Sequence, residues 1–342
     1  MNGLLRFMAP SENLKSIVIV GGGTAGWLTA GIIAAEHSAN GSESDGLIDI
    51  KVTLVESPDI STIGVGEGTW PSMRSTLQKM GISETDLIRD CDASFKQGTL
   101  FKSWKTGGND AYTHPFTPPH SYDSTNLAPQ WQKSSNEVSF AEAVSSQNAL
   151  MFKGLAPKQI STPEYAFHTN YGYHLDAGKF AELLRKHCVD KLGVTHLKAN
   201  VVSVESTADG DIASLKTDSH GDISGDLFVD CSGSRALLLG EHFGVPFCSK
   251  GQFLFNDTAL ASQIPYVNAD DPIASSTLST AQTAGWIWDI GLPTRRGIGH
   301  VYSSGHTTED RAAQELLAYI SATVSHEAAA SASIRKVPFS PG

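Results

Sequence analysis

Six consecutive residues near the start of the chain, Gly21 to Gly26, carry the most informative spacing in the sequence. The run Gly21-Gly22-Gly23-Thr24-Ala25-Gly26 satisfies the pattern G-x-G-x-x-G, directly after the apolar stretch SIVIV and at the opening of a helical pattern. In a dinucleotide site the first glycine permits a tight turn, the second admits a pyrophosphate, and the third lets helix and strand pack closely. The helix N-terminus favours an anion. The pattern predicts a dinucleotide site and does not decide between FAD and NAD.

An acidic residue ends the next apolar strand, as such a site requires. Glu56 closes the stretch IDIKVTLVES, where it can accept hydrogen bonds from ribose hydroxyls, and we assign it with the neighbouring Ser57 to the cofactor site. A late strand, DLFVDCSG at 226–233, ends in Asp-x-Ser-Gly. A second such strand far down the chain suits a flavoprotein that binds FAD from a discontinuous domain.

Two tryptophans one residue apart form the third feature, in the stretch GWIWDIG at 285–291. In an extended strand, alternation places Trp286 and Trp288 on one face and Ile287 with Asp289 on the other. The two indoles would form a broad apolar wall. The residues alone leave two interpretations open: ordinary core, or a wall that faces a cofactor and a substrate.

The elements that must position these residues follow an α/β order. The stretch ISETDLIRD predicts a helix with Ser83 as its N-cap. A clear amphipathic helix, LDAGKFAELLRKHCVDKLGV, precedes the strands THLKANVVSVEST, IASLKTD and DLFVDCSG. Residues 105 to 165 show little periodicity and are rich in Gly, Pro, Ser, His and aromatic residues, which is typical of a segment that lines a site.

Composition excludes several classes of protein. The 342 residues include 25 Lys plus Arg and 36 Asp plus Glu, so the net charge of −11 gives no overall attraction for nucleic acid or an anionic membrane. The four cysteines are widely spaced without a CxxC pair, so we expect no disulfide framework, no metal site and a cytoplasmic location. We find no membrane-spanning run and no signal peptide.

Six motifs occur together in an order known from one enzyme family. They are GGGTAGW at 21–27, GVGEGTWPSM at 64–73, FKQGTLFKSW at 95–104, YHLDAGKFAELL at 173–184, DLFVDCSG at 226–233 and GWIWDIG at 285–291. On these motifs, which span most of the chain, the sequence resembles the flavin-dependent halogenases of the tryptophan halogenase family.

The resemblance implies a fold and a domain plan. The fold is α/β: an FAD-binding Rossmann-like, three-layer domain of the flavin hydroxylase or GR2 type, with a second, incomplete substrate-side region. Residues 1–104 and 170–342 would form the discontinuous core, and 105–169 an irregular substrate-side insertion. The family also carries a later segment with a catalytic Glu and a halide-binding Thr-Gly, which nothing here matches. We therefore expect a fragment without the C-terminal part of the family domain, and this fragment can be inactive.

The resemblance also implies a monooxygenase-type reaction. A separate flavin reductase supplies FADH2, which reacts with O2 to a flavin hydroperoxide. Chloride or bromide attacks this species, and the resulting hypohalous acid passes through a tunnel to a lysine. The lysine directs halogenation of an electron-rich aromatic such as tryptophan or indole.

By this resemblance the catalytic lysine is Lys96. An ammonium can hydrogen-bond hypohalous acid and an amine can form a haloamine, whereas arginine stays charged; without the resemblance, Lys96 would be read as a surface lysine. His114 and Phe116 fall where the family holds the substrate between two flat rings. Val201 falls near the adenine of FAD.

The remaining implied positions lie between the two sites. The strap that joins flavin and substrate sites in the family falls on IGVGEGT, Ile63 to Thr69, of which Ile63, Gly64, Val65, Gly66 and Glu67 are assigned to the cofactor site. Trp286 and Trp288 would act as a barrier that keeps the arene from the flavin and lets hypohalous acid pass.

One departure points to a distinct branch of the family. The family motif continues W-x-W-x-I-P, whereas Gly291 replaces that proline here and Pro293 follows two residues later. Two alternatives remain open: a flavin-dependent aromatic hydroxylase, and an inactive FAD-binding fragment. The substrate, the ring position, the choice of halide and the oligomeric state are not determined by the sequence.

Overall fold

The computed structural model describes residues 14–37, 50–60, 67–133 and 138–342, with the backbone alone at Glu67. The strands are β1 Ser16–Val20, β2 Lys51–Glu56, β3 Glu67–Gly68, β4 Ser94–Lys96, β5 Gly98–Lys102, β6 Ala111–Pro115, β7 Gly172–Leu175, β8 Thr195–Lys198, β9 Val201–Ser206, β10 Ile212–Thr217, β11 Gly221–Ser224, β12 Leu227–Asp230, β13 Thr258–Pro265, β14 Thr277–Gln282, β15 Gly285–Gly291, β16 Arg295–Tyr302 and β17 Arg335–Pro338. The helices are α1 Thr24–His37, α2 Ser72–Lys79, α3 Glu84–Asp90, α4 Ala128–Lys133, α5 Phe140–Val144, α6 Gln147–Phe152, α7 Ala177–Asp190, α8 Glu309–Thr323 and α9 His326–Ala330.

The chain folds into two compact units. The first unit comprises the described residues within Met1–Thr62, together with Lys79–Gly81 and Ala181–Pro246. The second comprises the described residues within Ile63–Gln78, together with Ile82–Phe180 and Phe247–Gly342.

The first unit has three layers. Its central sheet is parallel, in the order β12-β1-β2-β8. Helix α1 packs on one face, where Gly26 approaches Leu54. On the opposite face Val18, Val20 and neighbouring residues form a core with the antiparallel sheet β11-β10-β9. This confirms the predicted Rossmann-like α/β fold.

The second unit contains a seven-stranded sheet in the order β17-β13-β16-β15-β14-β5-β6, in which only the β14–β5 pair is parallel. Helix α8 covers one face, with Leu316 and Ile320 packed on Ile287. The other face carries Trp288 and Ile290. A separate antiparallel sheet, β3-β7-β4, completes the strands of this unit.

Two local predictions about helices are confirmed. Helix α3 begins after Ser83, whose hydroxyl accepts the backbone N–H of Asp86, and the amphipathic stretch forms α7.

The segment predicted as an irregular insertion, 105–169, contains β6 and the short helices α4 to α6, and it belongs to the second unit. Within the described residues, no helix has the length and apolar character of a membrane span.

Candidate functional site

The glycine turn of the first unit brings the backbone into close contact at Gly21 and Gly26. Gly21 has φ of +117°, and a Cβ there would overlap the Cys231 carbonyl oxygen, so only glycine fits. A Cβ on Gly26 would overlap the Gly21 carbonyl in the same way, whereas nothing lies within 4 Å of a Cβ on Gly23. The turn therefore presents open space at Gly23 before the N-terminus of α1, which begins at Thr24 and continues through Ala25.

The Glu56 side chain lies against this turn, and its predicted contact with a ribose stays a prediction. A Cβ on Gly22 would overlap the Glu56 side chain. One carboxylate oxygen, Oε2, is 2.7 Å from His196 Nε2. The structure thus brings Glu56 to the glycine turn and engages one of its oxygens with a histidine, which the sequence did not reveal.

The described parts of the other predicted cofactor residues are Ser57, Val201 and the backbone of Glu67. The Ser57 hydroxyl donates to Asn200 Oδ1 at 2.6 Å, and Val201 begins β9 directly after Asn200, with its side chain half-buried. The strap residues Ile63, Gly64, Val65 and Gly66 lie outside the described residues, and Glu67 is described only as the first residue of β3.

Lys96 lies at the end of β4, on one face of the small sheet of the second unit. Its register partner on β7 is Gly172. Strand β3, on the other side of β7, places Gly68 opposite His174. A Cβ on Gly68 would come 2.9 Å from Lys96 Nζ, so the side chain crosses the space that this glycine leaves. Within the described residues the amine has no hydrogen-bond or ion-pair partner. Burial lowers the pKa of the Lys96 amine.

His174 forms part of the same face and was missed by the sequence analysis. It is fully buried, and burial together with the nearby charge of Lys96 lowers the pKa of its imidazole to about 3. The ring is therefore neutral at physiological pH. Its Nε2 lies 2.9 Å from Thr277 Oγ1, whereas Nδ1 is buried without a partner in the described structure. His174 therefore places a buried, uncharged ring on the same face of the sheet as Lys96.

The strand of Lys96 is anchored on both sides of the lysine. Ser94 Oγ donates to the Gly291 carbonyl oxygen at 2.6 Å, and the Gln97 N–H donates to the Ser275 carbonyl oxygen at 2.6 Å. Gln97 is itself fully buried. The residue that departs from the expected proline, Gly291, therefore ends the tryptophan strand and accepts a hydrogen bond from the lysine strand.

Two aromatic rings flank the Lys96 amine. Its Nζ lies 5.5 Å from the Phe116 ring and 6.0 Å from the Trp70 ring, and the two ring centroids are 5.4 Å apart. Phe116 therefore lies beside the Lys96 amine, and its role in binding a substrate stays a prediction. His114 lies in β6 opposite Thr99 with its side chain exposed, and no ring contact joins it to Phe116 among the described residues.

Trp70 was also missed, although it stands inside the motif GVGEGTWPSM. An aromatic residue directly after a glycine-rich strap is the signal that would have identified it. His174 similarly stands inside the motif YHLDAGKF, in which we assigned no residue a role.

The two tryptophans share one face of β15, as predicted. Their ring centroids are 6.4 Å apart, and Trp286 continues to Trp104 at 6.3 Å. Trp288 is 7% exposed and packs in the core with Ala261 and Ile290, whereas Trp286 is half-buried. Trp288 therefore has a core role whatever else it does, and the barrier function of the pair stays a prediction.

A family model described as tryptophan halogenase matches residues 16–337. The chain belongs to the tryptophan halogenase family. Tryptophan 7-halogenase RebH of Lentzea aerocolonigenes is 34% identical over 89% of this chain and 58% of the relative. Tryptophan 6-halogenase ThaL of Streptomyces albogriseolus is 34% identical over 88% of this chain and 58% of the relative. The chain thus spans about three-fifths of the length of these curated members.

Solved structures of tryptophan halogenases have the same fold. The tryptophan halogenase from Shewanella frigidimarina NCIMB 400 superposes with a TM-score of 0.90 at 53% identity, over 96% of this chain and 63% of that one. The tryptophan C-6 flavin-dependent halogenase Tar14, from taromycin biosynthesis, gives 0.84 at 34% identity, over 95% and 63%. Membership of the tryptophan halogenase family therefore agrees between sequence and fold.

Proposed function

We propose that this protein takes part in the FADH2-dependent halogenation of an electron-rich aromatic, and that Lys96 is its catalytic lysine. The observation that carries the proposal is the half-buried Lys96 amine, which has two aromatic rings within 6.0 Å and no polar partner among the described residues. An amine held in this way is available to a small polar reactant and lies beside a surface suited to an arene.

The residues of the first unit fit the binding of FAD. The turn Gly21–Gly26 has open space at Gly23 and leads into a 14-residue helix, whose free N–H groups favour a pyrophosphate. Glu56 retains Oε1 for a ribose hydroxyl, since its bond to His196 uses Oε2. Ser57, Val201 and the strap Ile63–Glu67 would complete the contacts. Bound as FADH2, the flavin would supply the electrons that activate O2 for the oxidation of chloride or bromide.

Lys96 would hold and direct the oxidised halogen. As an ammonium, Nζ donates a hydrogen bond to the oxygen of hypohalous acid and leaves the halogen directed at the arene. Burial makes this hydrogen bond stronger than in water, and because it lowers the pKa of the Lys96 amine it also raises the fraction of neutral amine at a given pH. Phe116 is beside Nζ to orient the arene, and Trp286 and Trp288 would keep the arene from the flavin.

The decisive experiment uses the complete gene product of the source organism, because the chain spans about three-fifths of its curated relatives. The protein is supplied with FADH2 from a flavin reductase, O2, bromide or chloride and a panel of indoles. Products are analysed by mass spectrometry. A halogen isotope pattern supports the proposal, a gain of one oxygen indicates a hydroxylase, and the absence of any product contradicts turnover.

Lys96→Ala separates catalysis from cofactor binding. We expect halogenation to fall by at least about 10²-fold, the scale of a lost acid–base group, while FAD binding stays unchanged. Lys105→Ala, at an exposed lysine of the same unit, is the matched control. Product formation that survives in Lys96→Ala would remove Lys96 from the mechanism.

A further inference from the structure

Trp70 presents a large aromatic surface beside the candidate catalytic amine. Its side chain is 63% exposed, although its ring contacts Phe116 and lies within 6.0 Å of Lys96 Nζ. Exposing an indole to water is unfavourable, and covering the ring with another apolar surface would lower the free energy of the protein. An exposed tryptophan at a catalytic group is therefore a candidate for stacking with a ligand.

We propose that Trp70, supported by Phe116, is the stacking platform for the aromatic substrate, and that the platform selects neutral or anionic arenes over cationic ones. The inference rests on the proposed function and assigns a specificity-determining residue to the same site. It adds Trp70 to the substrate residues His114 and Phe116 implied by the resemblance, because the Trp70 ring contacts Phe116 in the described structure.

The backbone on both sides of the platform is held firmly. The N–H of Thr69 donates to the Tyr173 carbonyl oxygen at 2.8 Å, and the Thr69 hydroxyl accepts the N–H of Tyr173 at 2.9 Å. These bonds fix the residue directly before Trp70. The carbonyl oxygen of Trp70 also accepts the N–H of Met73 at 3.0 Å, at the start of α2.

Phe116 is fixed relative to the lysine by a separate set of bonds. Its N–H donates to the carbonyl oxygen of Gln97, the residue after Lys96, at 2.9 Å, and its own carbonyl accepts from Asn170 Nδ2 at 3.2 Å. The platform and the lysine are thus connected through short backbone links. A surface organised before the ligand arrives loses little conformational entropy on binding.

The charge of Lys96 gives the platform its selectivity. The ammonium has no anionic partner among the described residues, and His174 on the same face is neutral. An arene with its own ammonium group would be repelled by Lys96 in a site of reduced dielectric constant, whereas a neutral arene would not. An arene with a carboxylate would be attracted.

The test measures binding without turnover, on the complete gene product in the absence of reductant. Fluorine NMR titrations use 5-fluoroindole as the neutral probe and 5-fluorotryptamine as the cationic probe. We expect Trp70→Ala to raise the Kd for 5-fluoroindole by about tenfold and Trp70→Phe to raise it less. Tyr122→Ala, at an equally exposed aromatic residue without a ring contact in the described structure, should leave it unchanged.

Selectivity is tested with the same probes. The wild-type protein should bind 5-fluorotryptamine more weakly than 5-fluoroindole, and Lys96→Met should narrow that difference. Unchanged affinity in Trp70→Ala, equal affinity for the two probes, or no binding of 5-fluoroindole by the wild type would each overturn the inference. If Trp70 governs binding and no halogenated product forms, only the proposed function fails; if products form and Trp70 does not affect binding, only this inference fails.

Discussion

The Trp288 ring lies directly over Gly299, its register partner on β16, so closely that a Cβ on Gly299 would overlap the indole. Gly299→Ala should therefore destabilise the protein by about 1–3 kcal/mol, the usual effect of overpacking a core. Chemical denaturation measures the change. Gly305→Ala, where a Cβ would meet only Ser303 Oγ at 3.8 Å, is the matched control and should have little effect.

A double-mutant cycle tests whether this contact is the cause. In Gly299→Ala with Trp288→Leu, the smaller side chain removes the overlap with the indole, whereas the Leu260 carbonyl oxygen, 2.6 Å from the added Cβ, still has to shift. The double variant should then lose less free energy of unfolding than the two single variants lose together, with a coupling energy of about 0.5–3 kcal/mol. Strict additivity would mean that Gly299 matters for another reason.

Trp286 is the better site for testing the barrier, because truncating the buried Trp288 would also damage the core by about 3–5 kcal/mol. Trp286 is half-buried, so Trp286→Leu keeps an apolar residue with a small cost to folding. We expect halogenation to fall by about tenfold, a change of about 1.4 kcal/mol in the barrier, with FAD binding retained. Halogenation at the wild-type rate in this variant would contradict a barrier function.

The lowered pKa of Lys96 predicts unusual reactivity toward acylating reagents. The neutral amine is the reactive form, so lowering the pKa below its ordinary value of about 10.4 increases that form at any pH below it. Half-maximal acetylation of Lys96 should therefore occur at lower pH than that of Lys179, whose pKa is raised by its hydrogen bond to Asp92. Peptide mass spectrometry across pH 7 to 11 gives both curves, and identical midpoints would count against a desolvated amine.

Glu84 supplies a prediction about stability. It is 2% exposed, and its carboxylate accepts from Lys158 Nζ at 2.7 Å and from the hydroxyls of Tyr171 at 2.5 Å and Tyr173 at 2.7 Å. Glu84→Ala leaves a buried ammonium and two hydroxyls without this acceptor. We therefore expect the free energy of unfolding to fall by about 3–5 kcal/mol. Urea denaturation measures the change, and Glu205→Ala, at a half-exposed glutamate paired with Lys216 across the sheet surface, is a control that should lose far less stability.

The same carboxylate predicts a pH dependence. Burial alone would raise the pKa of Glu84, but the hydrogen bonds from Lys158, Tyr171 and Tyr173 hold it below its ordinary value. Its stabilising contribution is then complete above the unfolded pKa of about 4.3, and it is lost as the pH falls through the folded pKa. Glu84→Gln cannot titrate, so its unfolding free energy should fall less between pH 6 and pH 3 than that of the wild type. Parallel curves would exclude this contribution.

The sequence predicted those parts of the structure whose signals are local. The cap at Ser83, the strand that places Trp286 and Trp288 on one face, and the turn before α1 each depend on residues within a few positions of one another. Spacing alone determines such features.

The lysine site could not be predicted in the same way. Its sheet is made of β3, β7 and β4, strands of two to four residues that pair across long stretches of chain. Strands this short have no periodicity to recognise, and no local pattern reveals that His174 lies opposite both Gly68 and Ser94. Trp70 does stand beside a recognisable motif, but its distance of 6.0 Å to Lys96 Nζ is set by the fold and not by the sequence pattern.

The hydrogen bonds to Glu84 also bear on the order of folding. Its tyrosine partners lie 87 and 89 residues further along the chain, and its lysine partner 74 residues further. Contacts of such separation form only after a long loop has been closed, at an entropic cost that local helices do not bear. Strand β7, which carries Tyr173 and His174, belongs to this late-forming set, whereas α3 can form early. The surroundings of Lys96 therefore form late in folding, since they require β7 to have been synthesised and paired.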